Sequence, residues 1–290
     1  MAQRTLLRYL ENFRRRGEEV AYVHRRGYRT AHWSYREVAE WAGRFSRELE
    51  SRQIAKGDRV LLWGDNCAEW VVAFLGCLSR GAVVVPMDRI ATAEFARRVA
   101  GQVAARLCVC SREQARQVSS IPVLVLEDLT QVLECHSSAP YENADLQSGD
   151  PIQIVFTSGT TSDPKGVVIS HKNVLANLEP LEVEIGKYLK YERLVHPLRF
   201  LNLLPLSHVF GQFLGVFVPQ LLGATVVFQD TLNPSEIIGT IKRERVSVLV
   251  TVPRLLETLR EKIERDLESA GNLTSFRKAF GEAQGEHFLK

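Results

Sequence analysis

The sequence predicts an α/β fold of two layered subdomains with mostly parallel sheets. Short apolar strands alternate with amphipathic helices along most of the chain, which is the pattern of α/β layers. Residues 59–86 show the unit most clearly, because a strand, a helix and a second strand follow one another with short connections, and this order requires parallel pairing. The 290 residues, 45% of them hydrophobic, are enough for about two domains with buried cores.

Residues 1–148 are predicted to form the first α/β subdomain. Ser34 and Glu37 have the spacing of a capping box, which starts a helix, and Gly81 is in the position of a helix C-cap. The predicted elements are a strand at Arg59–Trp63, a helix at Ala68–Arg80, and strands at 82–86, 107–109 and 123–126. The polar residues 136–149 are the best linker candidate.

Residues 149–290 are predicted to form a second, incomplete α/β subdomain. Asn233, Pro234 and Glu236 supply an N-cap, a first-turn proline and a third-position acid for one helix. The predicted elements are strands at 152–156, 166–169, 200–204, 224–228 and 246–250, and helices starting at 171 and covering 213–222, 233 onward and 253–267. Residues 276–290 carry no clear strand, cap or stop signal.

Composition excludes several classes of protein. A net charge of +3 with this apolar fraction excludes intrinsic disorder. The five cysteines are scattered, and Cys108 and Cys110 have no second pair to complete a metal site, so we expect buried apolar cysteines, no metal ligands and a cytoplasmic location. Residues 200–229 hold no Asp, Glu, Lys or Arg, but polar residues and prolines interrupt the stretch, which favours buried strands and a helix over a membrane span.

The first 60 residues are basic, with 14 Lys and Arg against 8 Asp and Glu. A solvated surface is the simplest interpretation, and peripheral contact with anionic lipid is the alternative. No zinc-finger spacing or aromatic–glycine signature indicates nucleic acid as a partner.

The segment that indicates chemistry is F-T-S-G-T-T-S-D-P-K-G, residues 156–166. Small and hydroxylated residues let backbone N–H groups and neutral donors face phosphate oxygens, and Lys165 adds a mobile positive charge. A polar hairpin between two strands uses the same residue types, so it remains an alternative. The segment is neither a G-x-x-x-x-G-K-[ST] loop, since Gly166 and Val167 follow Lys165, nor a G-x-G-x-x-G fingerprint.

This segment resembles the phosphate-binding signature of the adenylate-forming enzymes, which include acyl-CoA synthetases, fatty-acid–AMP ligases, luciferases and peptide-synthetase adenylation domains. The family pattern is an aromatic or aliphatic residue followed by T-S-G-T-T-G-x-P-K-G, and Ser162 stands where glycine is commoner. Further stretches resemble the same family at residues 33–37, 56–60, 66–70, 81–86, 204–211 and 250–253. The fold implied by the resemblance is the N-terminal domain of these enzymes.

The resemblance also implies a reaction and a set of site residues. A carboxylate attacks the α-phosphate of ATP to give acyl-AMP and pyrophosphate, and a thiol, usually coenzyme A, then takes the acyl group. Mg²⁺ accompanies the ATP. His208, in P-L-S-H, would lie near the reacting carboxylate at the entry to the acyl pocket. The residues implied to hold the β- and γ-phosphates are Thr157, Ser158, Gly159, Thr160, Thr161 and Lys165.

Other family elements are absent from these 290 residues. The Y-G-x-T-E segment with its Mg²⁺-binding Glu, the later T-G-D motif and the C-terminal domain with its catalytic lysine do not occur. We therefore expect the N-terminal portion of an acyl-CoA synthetase or acyl–AMP ligase, inactive when isolated. The acid is expected to be a medium- or long-chain fatty acid, with an aryl acid as an alternative. Two other functions stay open, namely a non-catalytic nucleotide- or acyl-binding module and a subunit that needs a separate C-terminal half.

Overall fold

The computed structural model describes residues 5–27, 29–142, 145–157, 164–192 and 195–284. Its strands are β1 (Val20–Arg26), β2 (Arg29–Ser34), β3 (Arg59–Trp63), β4 (Val83–Met87), β5 (Leu107–Cys110), β6 (Val123–Val125), β7 (Pro151–Thr157), β8 (Lys165–Ser170), β9 (Arg199–Asn202), β10 (Thr225–Phe228) and β11 (Val248–Val250). Its α-helices are α1 (Leu7–Arg16), α2 (Tyr35–Ser51), α3 (Ala68–Arg80), α4 (Ala93–Gln102), α5 (Arg112–Ala115), α6 (Leu129–Leu133), α7 (His171–Glu192), α8 (Val209–Gln212), α9 (Val218–Leu222), α10 (Pro234–Glu244), α11 (Pro253–Ser269) and α12 (Leu273–Gln284). A π-helical stretch, Phe213–Phe217, joins α8 to α9.

The strands form two mostly parallel sheets, as the sequence predicts. The six-stranded sheet has the order β6-β5-β3-β4-β7-β8, and all its pairs are parallel except β7 with β8. The five-stranded sheet has the order β11-β9-β10-β1-β2, with β2 antiparallel at its edge. Hence the fold class is α/β, with a hairpin closing one side of each sheet.

Both sheets draw strands from either side of the predicted boundary after residue 148. The early hairpin β1–β2 joins β9, β10 and β11, and the later hairpin β7–β8 joins β3, β4, β5 and β6. The division into residues 1–148 and 149–290 stays a prediction, and the division between the sheets does not follow it.

Helix α3 lies between the sheets and carries the main core. Every residue of α3 except Arg80 is buried, which is expected of a helix that is apolar on all sides. Its Phe74 ring makes an edge contact with Phe217, and the same core takes Val84 from the six-stranded sheet and Val226 from the five-stranded one. At about 25 cal/mol per Å² of apolar surface removed from water, this continuous core is the main force that joins the sheets.

The helix termini match the sequence signals. Ser34 and Glu37 form the reciprocal hydrogen bonds of a capping box, Gly81 ends α3 in the left-handed conformation, and Asn233 caps α10. Residues 273–284 form α12, although the sequence from 276 onward carries no clear signal, and the helix predicted at 213–222 begins four residues earlier. In the described part of the chain α12 contacts chiefly α11, so few tertiary contacts constrain which residues its sequence must contain.

Candidate functional site

The phosphate-loop segment, residues 156–166, runs from the end of one strand to the start of the next at the edge of the six-stranded sheet. β7 ends at Thr157 and β8 begins at Lys165, and these two residues face each other in the antiparallel register. The Lys165 side chain is exposed, and no carboxylate among the described residues forms an ion pair with it. Its charge is therefore available to an anion at the base of the hairpin.

The glycine that ends the motif has a packing role in this hairpin. Gly166 lies opposite Phe156. A Cβ at position 166 would come within 2.7 Å of Ile154 Cγ2 and 2.9 Å of Phe156 Cζ, closer than carbon atoms approach. Only glycine fits there without moving its neighbours, so this motif position serves the strand pairing that presents Lys165.

The hairpin starts beside a switch in strand order. β4 and β7 are parallel neighbours, but the connections that follow them run in opposite directions. After β4 the chain crosses back past β3 to form β5, whereas after β7 it continues outward to form β8. Ligands of open α/β sheets bind outside the carboxyl ends of strands at such a point. Asp88 is the first residue after β4, so it stands at this edge together with Thr157, the last residue of β7.

His208 reaches the same edge from the five-stranded sheet. It follows β9 and precedes α8, and its Nε2 lies 3.4 Å from Asp88 Oδ2. The hydrogen bond with Asp88 raises the pKa of His208 above its ordinary value and lowers the pKa of Asp88. The imidazole keeps 60% of its surface exposed, so it can meet a ligand while Asp88 holds it.

Hydrogen bonds from amide side chains hold the segment that carries His208 in place. The Asn66 amide donates to Leu204 O at 2.8 Å and accepts from Leu206 N–H at 2.8 Å. Gln153 of β7 and Gln212 of α8 are fully buried and exchange two hydrogen bonds, of 3.0 and 2.9 Å. The turn is therefore attached to the six-stranded sheet at several points.

Close packing within the turn adds to this attachment. A Cβ at Gly211 would overlap the carbonyl oxygen of Pro205, and the His208 N–H donates to that same oxygen at 3.1 Å. The Gln212 Nε2 group also donates to Leu206 O at 3.0 Å. The close approach to the Pro205 carbonyl explains why glycine occurs at position 211.

A second set of charged groups lies where the carboxyl ends of the two sheets approach each other. His24 of β1 is buried and its Nε2 is 2.8 Å from Asp230 Oδ1, just after β10. Asp65, just after β3, pairs with Arg89 at 3.2 Å. Burial raises the pKa of Asp65, as does the charge of Asp230, while Arg89 opposes the rise. The site edge is thus polar and of mixed charge.

The structure describes only some of the predicted site residues. Lys165 and His208 are described, and so is the backbone of Thr157; Ser158, Gly159, Thr160 and Thr161 lie outside the described residues. The sequence reasoning missed Asp88 as the partner of His208. Its signal was a carboxylate directly after an apolar parallel strand, where binding groups commonly stand.

The cysteines are buried as predicted, apart from Cys135. Cys108 and Cys110 share one apolar cluster with Trp63, and burial raises the pKa of the Cys77 thiol well above its ordinary range. Within the described ranges no group of three or more His, Cys, Asp or Glu side chains could hold a metal ion. In those same ranges no helix has the length and apolarity needed to span a bilayer.

Comparison with known proteins identifies the family. A family model described as AMP-binding enzyme matches residues 10–288. Human mitochondrial medium-chain acyl-CoA ligase ACSF2 is 26% identical over 263 residues, which cover 77% of this chain and 42% of the ligase. Human long-chain-fatty-acid–CoA ligase ACSBG2 is 23% identical over 299 residues, covering 94% and 44%. The chain therefore spans less than half the length of these relatives.

Solved structures share the fold. VinN superposes with a TM-score of 0.76 at 21% identity, covering 92% of this chain and 66% of VinN. The nonribosomal peptide synthetase FmoA3, in its AMPPNP-bound form, superposes with a TM-score of 0.71 at 26% identity, covering 88% of this chain and 26% of FmoA3. The superpositions show that this chain shares the fold of these proteins.

Proposed function

Because the chain belongs to the family of AMP-binding enzymes, we propose that it is the N-terminal portion of an ATP-dependent, AMP-forming acid–thiol ligase. The acid would be a medium- or long-chain fatty acid, activated through an acyl-adenylate, and coenzyme A the acceptor. ACSF2 and ACSBG2 support this substrate class by their names. The observation that carries the proposal is the joint position of the Lys165 hairpin and the Asp88–His208 pair at the carboxyl ends of β4 and β7.

The described residues suit a phosphate ligand. Lys165 is an exposed cation without an ion-pair partner among them. It is the first residue of β8, directly after a segment rich in Ser, Thr and Gly. Its role would be to neutralise negative charge on the phosphates that leave, an effect that grows as that charge develops. Thr157, Ser158, Gly159, Thr160 and Thr161 would add hydroxyl and backbone donors around the same phosphates.

The acid would approach from the His208 side. A partly exposed imidazole with a raised pKa can bind and orient a carboxylate. Mg²⁺ would accompany the ATP, as the family resemblance implies. The helical stretch after His208 belongs to the buried core through Val216 and Phe217, so an acyl channel would run along its exposed side, where Phe210 stands.

A cytoplasmic location and contact with small molecules, rather than nucleic acid, belong to the same proposal. The buried free cysteines support a reducing compartment. Peripheral contact with a membrane would use the basic α1, whose last turn holds Arg14, Arg15 and Arg16. Further domains, including one with the catalytic lysine, would complete the enzyme.

Nucleotide binding to the 290-residue chain tests the proposal without requiring turnover. Titration calorimetry with ATP·Mg should give weaker binding for Lys165→Ala by about 10- to 100-fold, the worth of one charge-assisted hydrogen bond. Lys172→Ala is the matched control, because Lys172 is also exposed but lies beyond the far end of β8. Equal affinities of the wild type and Lys165→Ala would contradict a phosphate-binding role and favour a polar hairpin.

Turnover separates the ligase portion from a binding module. We expect no acid-dependent release of pyrophosphate by the isolated 290 residues. In a longer protein that includes the remaining family motifs, Lys165→Ala should lower kcat by about 10- to 1,000-fold. ATP binding with no turnover in the longer protein would favour the non-catalytic module, and release by the isolated chain would contradict the need for further segments.

A further inference from the structure

Asp88 is held in one orientation before it meets His208. Its carbonyl oxygen accepts from the Trp63 indole N–H at 2.9 Å, and its Oδ1 accepts from the Ile90 N–H at 3.0 Å. Trp63 is buried at the end of β3, the strand next to β4. The second carboxylate oxygen, Oδ2, is left to face the imidazole.

His208 approaches from an equally fixed segment. Its backbone N–H is bound to Pro205 O, and the turn is tied to the six-stranded sheet by Asn66 and by the Gln153–Gln212 pair. Because separate contacts already hold Asp88 and the segment of His208, little further conformational entropy is lost when a ligand binds to the pair. The 3.4 Å contact is thus a preorganised contact between the two sheets.

The charges around the pair come from the loops after β3 and β4. Asp88 is the one charged group that acts on His208 within the described residues. The positive charge of Arg89 helps to lower the pKa of Asp88, and Arg89 also forms an ion pair with Asp65. The negative charge of Asp230 in turn helps to raise the pKa of Asp65. The positive charge of Arg89 is therefore balanced by Asp65, and the anion that faces His208 is Asp88.

We propose that Asp88 is a positioning residue for His208, which fixes the imidazole through Nε2 and presents it to an anionic ligand. The nature of that ligand, a substrate carboxylate, rests on the proposed function. The pairing itself does not rest on it. Asp88 would act on the ligand only through His208, since its own oxygens face Ile90 and the imidazole.

Titration of His208 by NMR in the 290-residue chain tests the pairing directly. Asp88→Asn keeps an oxygen for the Ile90 N–H but removes the negative charge, so the pKa of His208 should fall below its wild-type value. A His208→Gln sample assigns the signal. Asp230→Asn is the matched control, because it makes the same change opposite His24 and should leave the His208 titration where it is.

Binding of decanoate, measured by calorimetry across pH, tests the consequence for a carboxylate. Wild-type affinity should decline as pH rises through the pKa of His208, and Asp88→Asn should weaken binding at neutral pH by about tenfold. No decanoate binding by any variant, with the NMR shift present, would refute the carboxylate site and leave the pairing established. An unchanged His208 titration in a folded Asp88→Asn chain would overturn the proposal. If that variant fails to fold by circular dichroism, Asp88→Ser, which also keeps an acceptor for Ile90, is judged by the same two outcomes.

Discussion

Replacing Gln212 by leucine should destabilise the protein more than replacing Gln153, and replacing both should be milder than replacing Gln212 alone. The two amides are fully buried and exchange hydrogen bonds of 3.0 and 2.9 Å, and Gln212 Nε2 also donates to Leu206 O at 3.0 Å. Leucine has a similar volume, so the change removes polar groups and leaves packing largely intact.

The magnitudes follow from counting the polar groups that each variant leaves without a partner. Gln153→Leu leaves one, the Gln212 carbonyl, and a buried unsatisfied group costs about 1–3 kcal/mol. Gln212→Leu leaves three, namely both polar atoms of Gln153 and Leu206 O, so its loss should exceed about 3 kcal/mol. The double variant leaves only Leu206 O. The single and double variants leave one, three and one such groups, so the coupling energy should reach at least about 3 kcal/mol, the upper end of the range measured for residues in contact.

Urea unfolding followed by tryptophan fluorescence gives the four free energies of unfolding, and the four tryptophans supply the signal. Gln117→Leu, a glutamine outside this pair, serves as the control and should change stability by no more than about 0.5 kcal/mol. Losses that simply add within about 0.5 kcal/mol would refute the reasoning, because the two amides would then act independently.

Three further predictions concern other parts of the fold. Burial lowers the pKa of His171 to about 4 while its Nδ1 accepts from the Leu6 N–H, so between about pH 6.5 and 4 the unfolded chain binds a proton that the folded chain does not. As pH falls through that window, the free energy of unfolding measured with urea should decline by up to about 3 kcal/mol, and by less in His171→Gln. Gly166→Ala, where a Cβ has no room, should lose about 1–3 kcal/mol in thermal unfolding, whereas Gly186→Ala, in an open stretch of helix, should be neutral or stabilising, and equal effects would contradict the packing argument. Limited proteolysis followed by mass spectrometry should cut beyond Leu267 before it cuts the core, because α11 and α12 are mostly exposed; initial cleavage inside α3 would contradict this.

The sequence predicted best where local chemistry and burial agree. The capping box at Ser34, the ends of α3 and the apolar strands β3 and β4 were predicted within a residue, since each is specified by neighbours in the chain. The hairpin β1–β2 was not predicted. Its charged and polar residues alternate weakly, and it is held as a strand pair by β10, about two hundred residues later in the chain.

The site divides in the same way. Lys165 and His208 could be proposed from the motifs around them, because those motifs are contiguous. The pairing of Asp88 with His208, and of Gln153 with Gln212, could not, because the partners lie far apart along the chain and meet only after the two sheets pack. Motif spacing reports which residues are needed, whereas the groups that orient them depend on tertiary contacts.

The exchange of strands between the sheets explains why such contacts exist at all. Chain order alone would let each half fold as a separate unit, with the phosphate-loop hairpin on the same half as His208. Instead β7 and β8 extend the sheet built by β3, β4, β5 and β6, while β9 and β10 pair with β1. His208 therefore reaches the hairpin edge across the junction of the sheets, where Asp88 and the Gln153–Gln212 pair fix its position. Loss of the buried amides should consequently disturb the Asp88–His208 contact as well as stability, because the distance between these groups is set by the junction and not by either sheet alone.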